Sequence, residues 1–260
     1  LRRQRQMCIR DRYYKQYQDT GDMDAVIKEI AETYKASLES TNDLRTEIFN
    51  QKEQYFSNCY LKVVNYEKNK EMLKDVPYKK YMDLAVTIRM LVRVDETGIA
   101  SAIVTHDHTA RLGINEKELY AAALKNTEFL FPVRINKLED VIRSLDSNGL
   151  VQEELPDTGI YVLSNFPRIA GATTILYAQD QVTQLAGELE CGFYIVPSST
   201  NEVLLCPDND EMDPEMLQRT AMEVNKFVVS DTEFLSNSIY HIDKDSREIK
   251  MEPVSYTHLT

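Results

Sequence analysis

His106-Asp107-His108 is the densest run of side chains able to do chemistry in the 260-residue chain. On a strand, residues i and i+2 face the same way, so His106 and His108 could grip one metal ion. A third ligand is then required, and no H-E-x-x-H or comparable spacing provides it. The run also stands between an apolar strand and a helix, where Asp and His act as caps, and capping is the favoured reading. Ser198 and Ser199, in Pro197-Ser198-Ser199-Thr200-Asn201, could bind an anion or act as nucleophiles. No G-x-S-x-G surrounds them, and polar turn residues account for the segment without chemistry. Asp208-Asn209-Asp210-Glu211-Met212-Asp213 has calcium-loop spacing, but Asp213 occupies the place of the required Gly and serves better as a helix cap. The candidate catalytic set is therefore His106, Asp107, His108, Ser198 and Ser199, with His106 and His108 as the candidate metal pair. No cofactor is expected, because no glycine-rich phosphate loop occurs among the eight Gly.

These residues must be held by a mixture of helices and strands. Asp22 caps a helix with a stripe of Val26, Ile27, Ile30, Tyr34 and Leu38, about 23–39. The pattern over 43–56 is weaker. Leu61, Val63 and Val64 suggest a strand, and a charged helical turn follows to Leu73 before Pro77. Residues 82–94 are β-branched and apolar, and Ile99–Thr105 returns across the turn Asp95-Glu96-Thr97-Gly98 as an antiparallel hairpin. Asn115 with Glu118, and Asn136 with Glu139, have capping-box spacing for helices over 116–125 and 137–145. Ser147-Asn148-Gly149 and Pro156–Gly159 bracket a loop that suggests an internal boundary.

Beyond it, Ile160–Leu163 reads as a strand, and Val182, Leu185, Ala186 and Leu189 mark a helix. Phe193–Val196 and Glu202–Leu205 are strands about the Pro197–Thr200 turn. Asp213-Pro214-Glu215 starts a helix whose stripe is Leu217, Ala221, Val224 and Val228. Ile239–Ile242 and Glu248–Met251 close the chain as a hairpin. The expected class is α+β with mixed or antiparallel sheets. The order strand–helix–strand–strand–helix occurs over about 60–126 and again over about 160–228, which suggests two related units, 13–146 and 156–252.

The two ends read differently. Met7–Asp11 can be coded ATG TGT ATA AGA GAC, and the reverse complement codes Val254–His258. One nucleotide string in opposite orientations thus accounts for both, and it resembles the transposon-end adapter of sequencing libraries. Residues 1–12 and 254–260 are therefore expected to be adapter translation in a metagenomic fragment and are set aside. The whole chain carries 30 basic and 42 acidic residues, net −12; the remainder carries 25 and 41, net −16. Such a surface repels phosphate backbones and anionic lipid. No nucleic-acid or membrane partner is expected, and no apolar run reaches the ~18 residues a membrane helix needs. Three cysteines remain, with no export signal and no C-x-x-C, which favours a reduced cytoplasmic setting. Fifteen Tyr against no Trp suit half-buried rims and interfaces. Tyr13, Tyr14 and Tyr17 crowd the start, and Tyr78 and Tyr81 flank a basic pair.

An ordered set of short segments carries a family resemblance: Tyr66-Glu67-Lys68-Asn69, Val76-Pro77, Asp83-Leu84-Ala85, Glu118-Leu119-Tyr120, Tyr161-Val162-Leu163-Ser164-Asn165, Gly171-Ala172, Val196-Pro197-Ser198-Ser199, Glu202-Val203-Leu204-Leu205 and Met212-Asp213-Pro214-Glu215. The chain resembles domain-of-unknown-function family 5688 of anaerobic gut bacteria, from about Tyr13 to Met251. It departs at Thr200-Asn201, where the family has an aliphatic residue and His, and at Leu112, where it has Trp. The resemblance implies a further strand-rich segment ahead of Tyr13, and no activity. The leading functional expectation is a non-catalytic cytosolic binding or regulatory module, its partner a protein or small molecule. The alternative is a metal- or hydroxyl-dependent hydrolase built on His106/His108 or Ser198/Ser199.

Overall fold

The computed structural model describes residues 17, 21–42, 49–95, 98–146, 155–166, 168–209 and 212–253. The expected loop at 147–149, the tyrosines at 13 and 14, the turn residues 96–97, the calcium-like residues 210–211 and both adapter-like ends fall outside them. The described residues form two compact units, one from 1–51 and 91–102, the other from 52–90 and 103–260.

In the first unit, α1 (Met23–Asn42) starts where Asp22 predicts, its carboxylate accepting from the Ala25 N–H at 3.0 Å. β4 (Gly98–Ile103) pairs with β3 (Leu84–Asp95), whose last residues also belong here.

The second unit contains two sheets and the helices that cover them. It opens with α2 (Lys52–Asn58), β1 (Cys59–Asn65), a 3-10 turn at Glu67–Asn69, and α3 (Lys70–Leu73). β2 (Tyr78–Tyr81) follows and turns back into β3 through Met82, whose φ of 55° is the left-handed conformation of a tight turn. The expected strand over 82–94 is present as β3 from Leu84, and residues 82–83 are the turn that joins it to β2. β3 lies between β1 and β2, antiparallel to both, with Val63 opposite Val86 and Tyr78 opposite Thr87. Leu61, Val63, Val86 and Ile88 are buried, and so are Leu84, Ala85 and Thr87, so both faces of β3 are covered over 84–88. The free edge of β1 is closed by side chains: the Thr127 hydroxyl accepts from Leu61 N–H at 2.8 Å and Thr173 from Val63 N–H at 3.2 Å.

α4 (His106–Arg111) and α5 (Glu116–Leu130) come next, and Asn115 caps α5 by accepting from Lys117 and Glu118 N–H. β5 (Val133–Lys137) then leads directly into α6 (Leu138–Leu145). Here the expected capping box fails. Asn136 is a strand residue paired with Val162, no side chain caps α6, and Glu139 instead accepts from the Thr158 hydroxyl at 2.6 Å and its N–H at 2.8 Å.

β6 (Tyr161–Asn165), a 3-10 segment (Gly171–Leu176), α7 (Gln179–Leu189), β7 (Gly192–Val196), β8 (Val203–Asp208), α8 (Pro214–Val228), β9 (Tyr240–Ile242) and β10 (Ile249–Met251) complete the fold. The second sheet has the order β10-β9-β7-β8-β6-β5, with antiparallel pairs throughout. β5 precedes the 147–159 segment and the other five strands follow it, so this sheet draws on both sides of that segment. The fold is α+β. In the repeat suggested by the sequence, 82–94 and 99–105 served as second and third strands, and with those the two orders differ. With the hairpin strands β2 and β3 in their place, the orders β1-β3-β2 and β6-β8-β7 correspond.

Candidate functional site

The His-Asp-His run lies on a helix, not a strand. Residues two apart on a helix diverge by about 200°, so the shared-face argument for His106 and His108 does not hold. Each imidazole has a local task. His106 Nδ1 lies 2.7 Å from Glu116 Oε1, which also accepts from the Thr109 hydroxyl at 2.9 Å. His108 Nδ1 accepts from Thr105 N–H while the Thr105 hydroxyl accepts from His108 N–H, a capping box at the start of α4. Asp107 sits in the first turn, where a carboxylate complements the helix dipole. Among the described residues, no group of three or more His, Cys, Asp or Glu is arranged to hold a metal ion.

The serine segment is held by its backbone. Leu235 and Ser236 N–H donate to the carbonyls of Ser198 and Pro197, and Thr200 N–H donates to the Glu233 carbonyl. Ser199 is buried, accepts from Asn201 N–H at 3.2 Å and donates to Glu202 Oε1 at 3.4 Å. Thr200 and Asn201 carbonyls receive Ala172 N–H and the Ser164 hydroxyl. Gly171 must be glycine for this approach, since a Cβ there would stand 2.0 Å from the Asn201 carbonyl oxygen.

Two further polar sets come together that no sequence spacing announced. Across β7, β8 and β9, His241 Nε2 lies 2.7 Å from Asp208 Oδ2, and the His241 ring lies 5.1 Å from that of Tyr194. Burial and then the Asp208 carboxylate push the Tyr194 hydroxyl up to about 12 and also raise the neighbouring Cys191 thiol. A His–Asp pair can orient an imidazole for proton transfer, but the adjacent thiol is kept neutral, the opposite of an activated nucleophile. The second set is at the β2–β3 turn. Asp83 accepts from the hydroxyls of Ser236 at 2.5 Å, Ser238 at 3.0 Å and Tyr240. Burial and the Asp83 charge raise the Tyr240 hydroxyl, so this cluster is a tether between two sheets.

Surfaces are more distinctive than clefts. A groove of about 220 Å³ between β5 and α7, lined by Val133, Ile135, Gln184 and Leu185 among others, falls short of the ~300 Å³ at which ligand pockets begin. On β2, Lys79 stacks 3.6 Å over the Tyr120 ring and Lys80 4.6 Å over Tyr66. α8 is the exception to the expected pattern. Its stripe was to be Leu217, Ala221, Val224 and Val228, yet Val224 and Val228 are exposed. Gln218 and Asn225 are buried beside Ala221, because their amides reach the carbonyls of Asn237 and Ser236 at 3.1 Å each. The opposite face presents Phe227 at 81% exposure and Met216 at 64%. The signal available in the sequence was two apolar residues, Met216 and Phe227, standing off the predicted stripe.

No helix among the described residues is long and apolar enough to cross a membrane. A model for a family of unknown function, numbered 5688, matches residues 5–244. Comparison with curated proteins and with solved structures returns no match.

Proposed function

The chain belongs to domain-of-unknown-function family 5688, and we propose that it is a non-catalytic binding module whose partner is another protein, engaged through the outer face of α8. The observation that supports this is the rotation of that helix from its expected stripe: Leu217 and Ala221 pack inward together with the amides of Gln218 and Asn225, and Met216, Val224, Phe227 and Val228 are left outward. Apolar side chains grouped on one face of a folded protein mark interaction sites, and aromatic residues dominate the energy of such sites. The shallow groove beside β5 favours a protein over a small molecule. The proposal places the protein in the bacterial cytoplasm, in keeping with three free cysteines among the described residues. It includes no nucleic acid, membrane, metal or cofactor.

Site-specific photo-crosslinking from position 227 in cells tests it. A single protein adduct is expected from 227, diminished by Met216→Glu, with none from exposed Lys117 as the control. Equal labelling from positions 227 and 117 would overturn the reading.

A further inference from the structure

We infer that the protein engaged by the α8 face is a second copy of this chain, with the two helices packed antiparallel about a two-fold axis. The inference rests on the protein-binding reading above and names its partner.

Charges of both signs surround the apolar residues. At 100° per residue, Met216, Thr220, Glu223 and Phe227 lie within about 60° of one another. Val224 and Val228 fall on one flank of that line, and Glu215, Arg219 and Lys226 on the other. All nine are exposed. A two-fold axis across the middle of the helix places each residue i within about one position of residue 442 − i of the second copy, the exact neighbour being the one on the same line of the helix, and sets each flank against the same flank. Met216 then meets Phe227 of the second copy, and Phe227 meets Met216, so an apolar pair closes each end. Glu215 meets Lys226, and Arg219 meets Glu223, each twice, with opposite signs every time.

In a parallel pair the two-fold axis runs along the helices and sets each flank against the opposite one, so Glu215, Arg219 and Lys226 would face the Val224 and Val228 flank and find no charge partner. The face is therefore complementary to itself only when reversed. Antiparallel packing also opposes the two helix dipoles. One pair of 15-residue helices makes a small interface beside the ~1,200 Å² at which standard interfaces begin, so the association is expected to be weak and concentration-dependent.

Sedimentation velocity of the full chain over about 1–200 μM tests the inference. A concentration-dependent dimer is expected, weakened at least about tenfold by Phe227→Glu. Because Phe227 is exposed, the variant is expected to keep the parent's melting temperature. Charge exchange provides a second, independent readout. Glu215→Lys and Lys226→Glu each weaken the dimer by about threefold, and the double variant returns to within about twofold of the parent. A parent that stays monomeric, a dimer indifferent to Phe227→Glu, or a double variant no better than the singles would overturn self-pairing. A monomeric parent that still gives a position-227 adduct with a different protein overturns self-pairing and leaves the binding reading standing. Loss of every adduct sinks both.

Discussion

The side-chain amide of Asn225 donates to the carbonyl of Ser236 at 3.1 Å, and its other hydrogen goes to Asn237 Oδ1 at 2.9 Å. This contact fixes the rotation of α8. An amide 5% exposed that satisfies a strand-side carbonyl can face the sheet, and the helix then turns Phe227 to solvent.

Asn225→Leu is accordingly expected to destabilise the protein, although it adds apolar volume to a buried site. The Ser236 carbonyl would lose its donor, at a cost of about 1–3 kcal/mol. Phe227→Ser is expected to shift stability by no more than about 0.5 kcal/mol. Urea unfolding of both variants checks the pair, and a larger loss for Phe227→Ser would show that its ring is structural.

Asp83→Ala removes the acceptor shared by Ser236, Ser238 and Tyr240. Tyr240 and Ser236 are fully buried, so their hydroxyls are left without the carboxylate. A loss of about 3 kcal/mol or more is expected in urea denaturation. Ser238→Ala, which removes one donor, is expected to cost only about 1 kcal/mol.

Gly171→Ala sets a methyl group against a backbone oxygen at 2.0 Å and the Ser164 hydroxyl at 2.2 Å. Backbone on both sides must shift, and a loss of at least about 1–3 kcal/mol is expected in thermal melts. An unchanged melting temperature would mean that the 197–201 turn is free to retreat.

Alkaline pH is expected to unfold the protein through groups that burial keeps protonated. Tyr81 and Tyr177 are pushed up to about 12 from about 10, and Cys59 and Cys206 to about 12 from about 9. The folded state holds these protons more tightly than the unfolded chain. The stability they contribute is full below about pH 9 and is lost as pH rises toward 12. Melting temperature should fall across that window, with tyrosinate absorbance appearing as the chain unfolds. Ionisation of all tyrosines near pH 10 in the folded protein would contradict their burial.

Zinc is expected to leave the melting temperature unchanged, since His106 and His108 serve Glu116 and Thr105. His106→Ala should cost under about 1 kcal/mol, because its contact with Glu116 is solvent-exposed. Thr105→Ala should cost about 1 kcal/mol by removing a cap. A zinc-dependent rise abolished by His106→Ala would restore the hydrolase alternative.

Several features were legible in the sequence because their causes are local. Asp22, Asn115 and Asp213 cap the helices they precede, since a side-chain oxygen need only reach an N–H two or three residues on. The closing hairpin, β9 with β10, followed from two short apolar runs about a polar turn. Asn136 shows where local reading stops. Its spacing to Glu139 fits a cap, but the ladder to β6 claims its backbone, and a distant Thr158 claims Glu139. The β2–β3 hairpin was hidden for a related reason, because its turn residue is Met82, a type that rarely adopts positive φ.

By itself the sequence determined the α+β class, the positions of most helices and the acidic balance, because composition, capping and apolar periodicity act over a few residues. The tertiary structure alone decided which face of α8 is buried and which polar groups meet. Gln218 and Asn225 face inward only because carbonyls of 236 and 237 come to meet them, and His241 reaches Asp208 only across three paired strands. A buried amide is stabilised or penalised by a partner brought to it by the fold, and spacing along the chain carries no record of that partner.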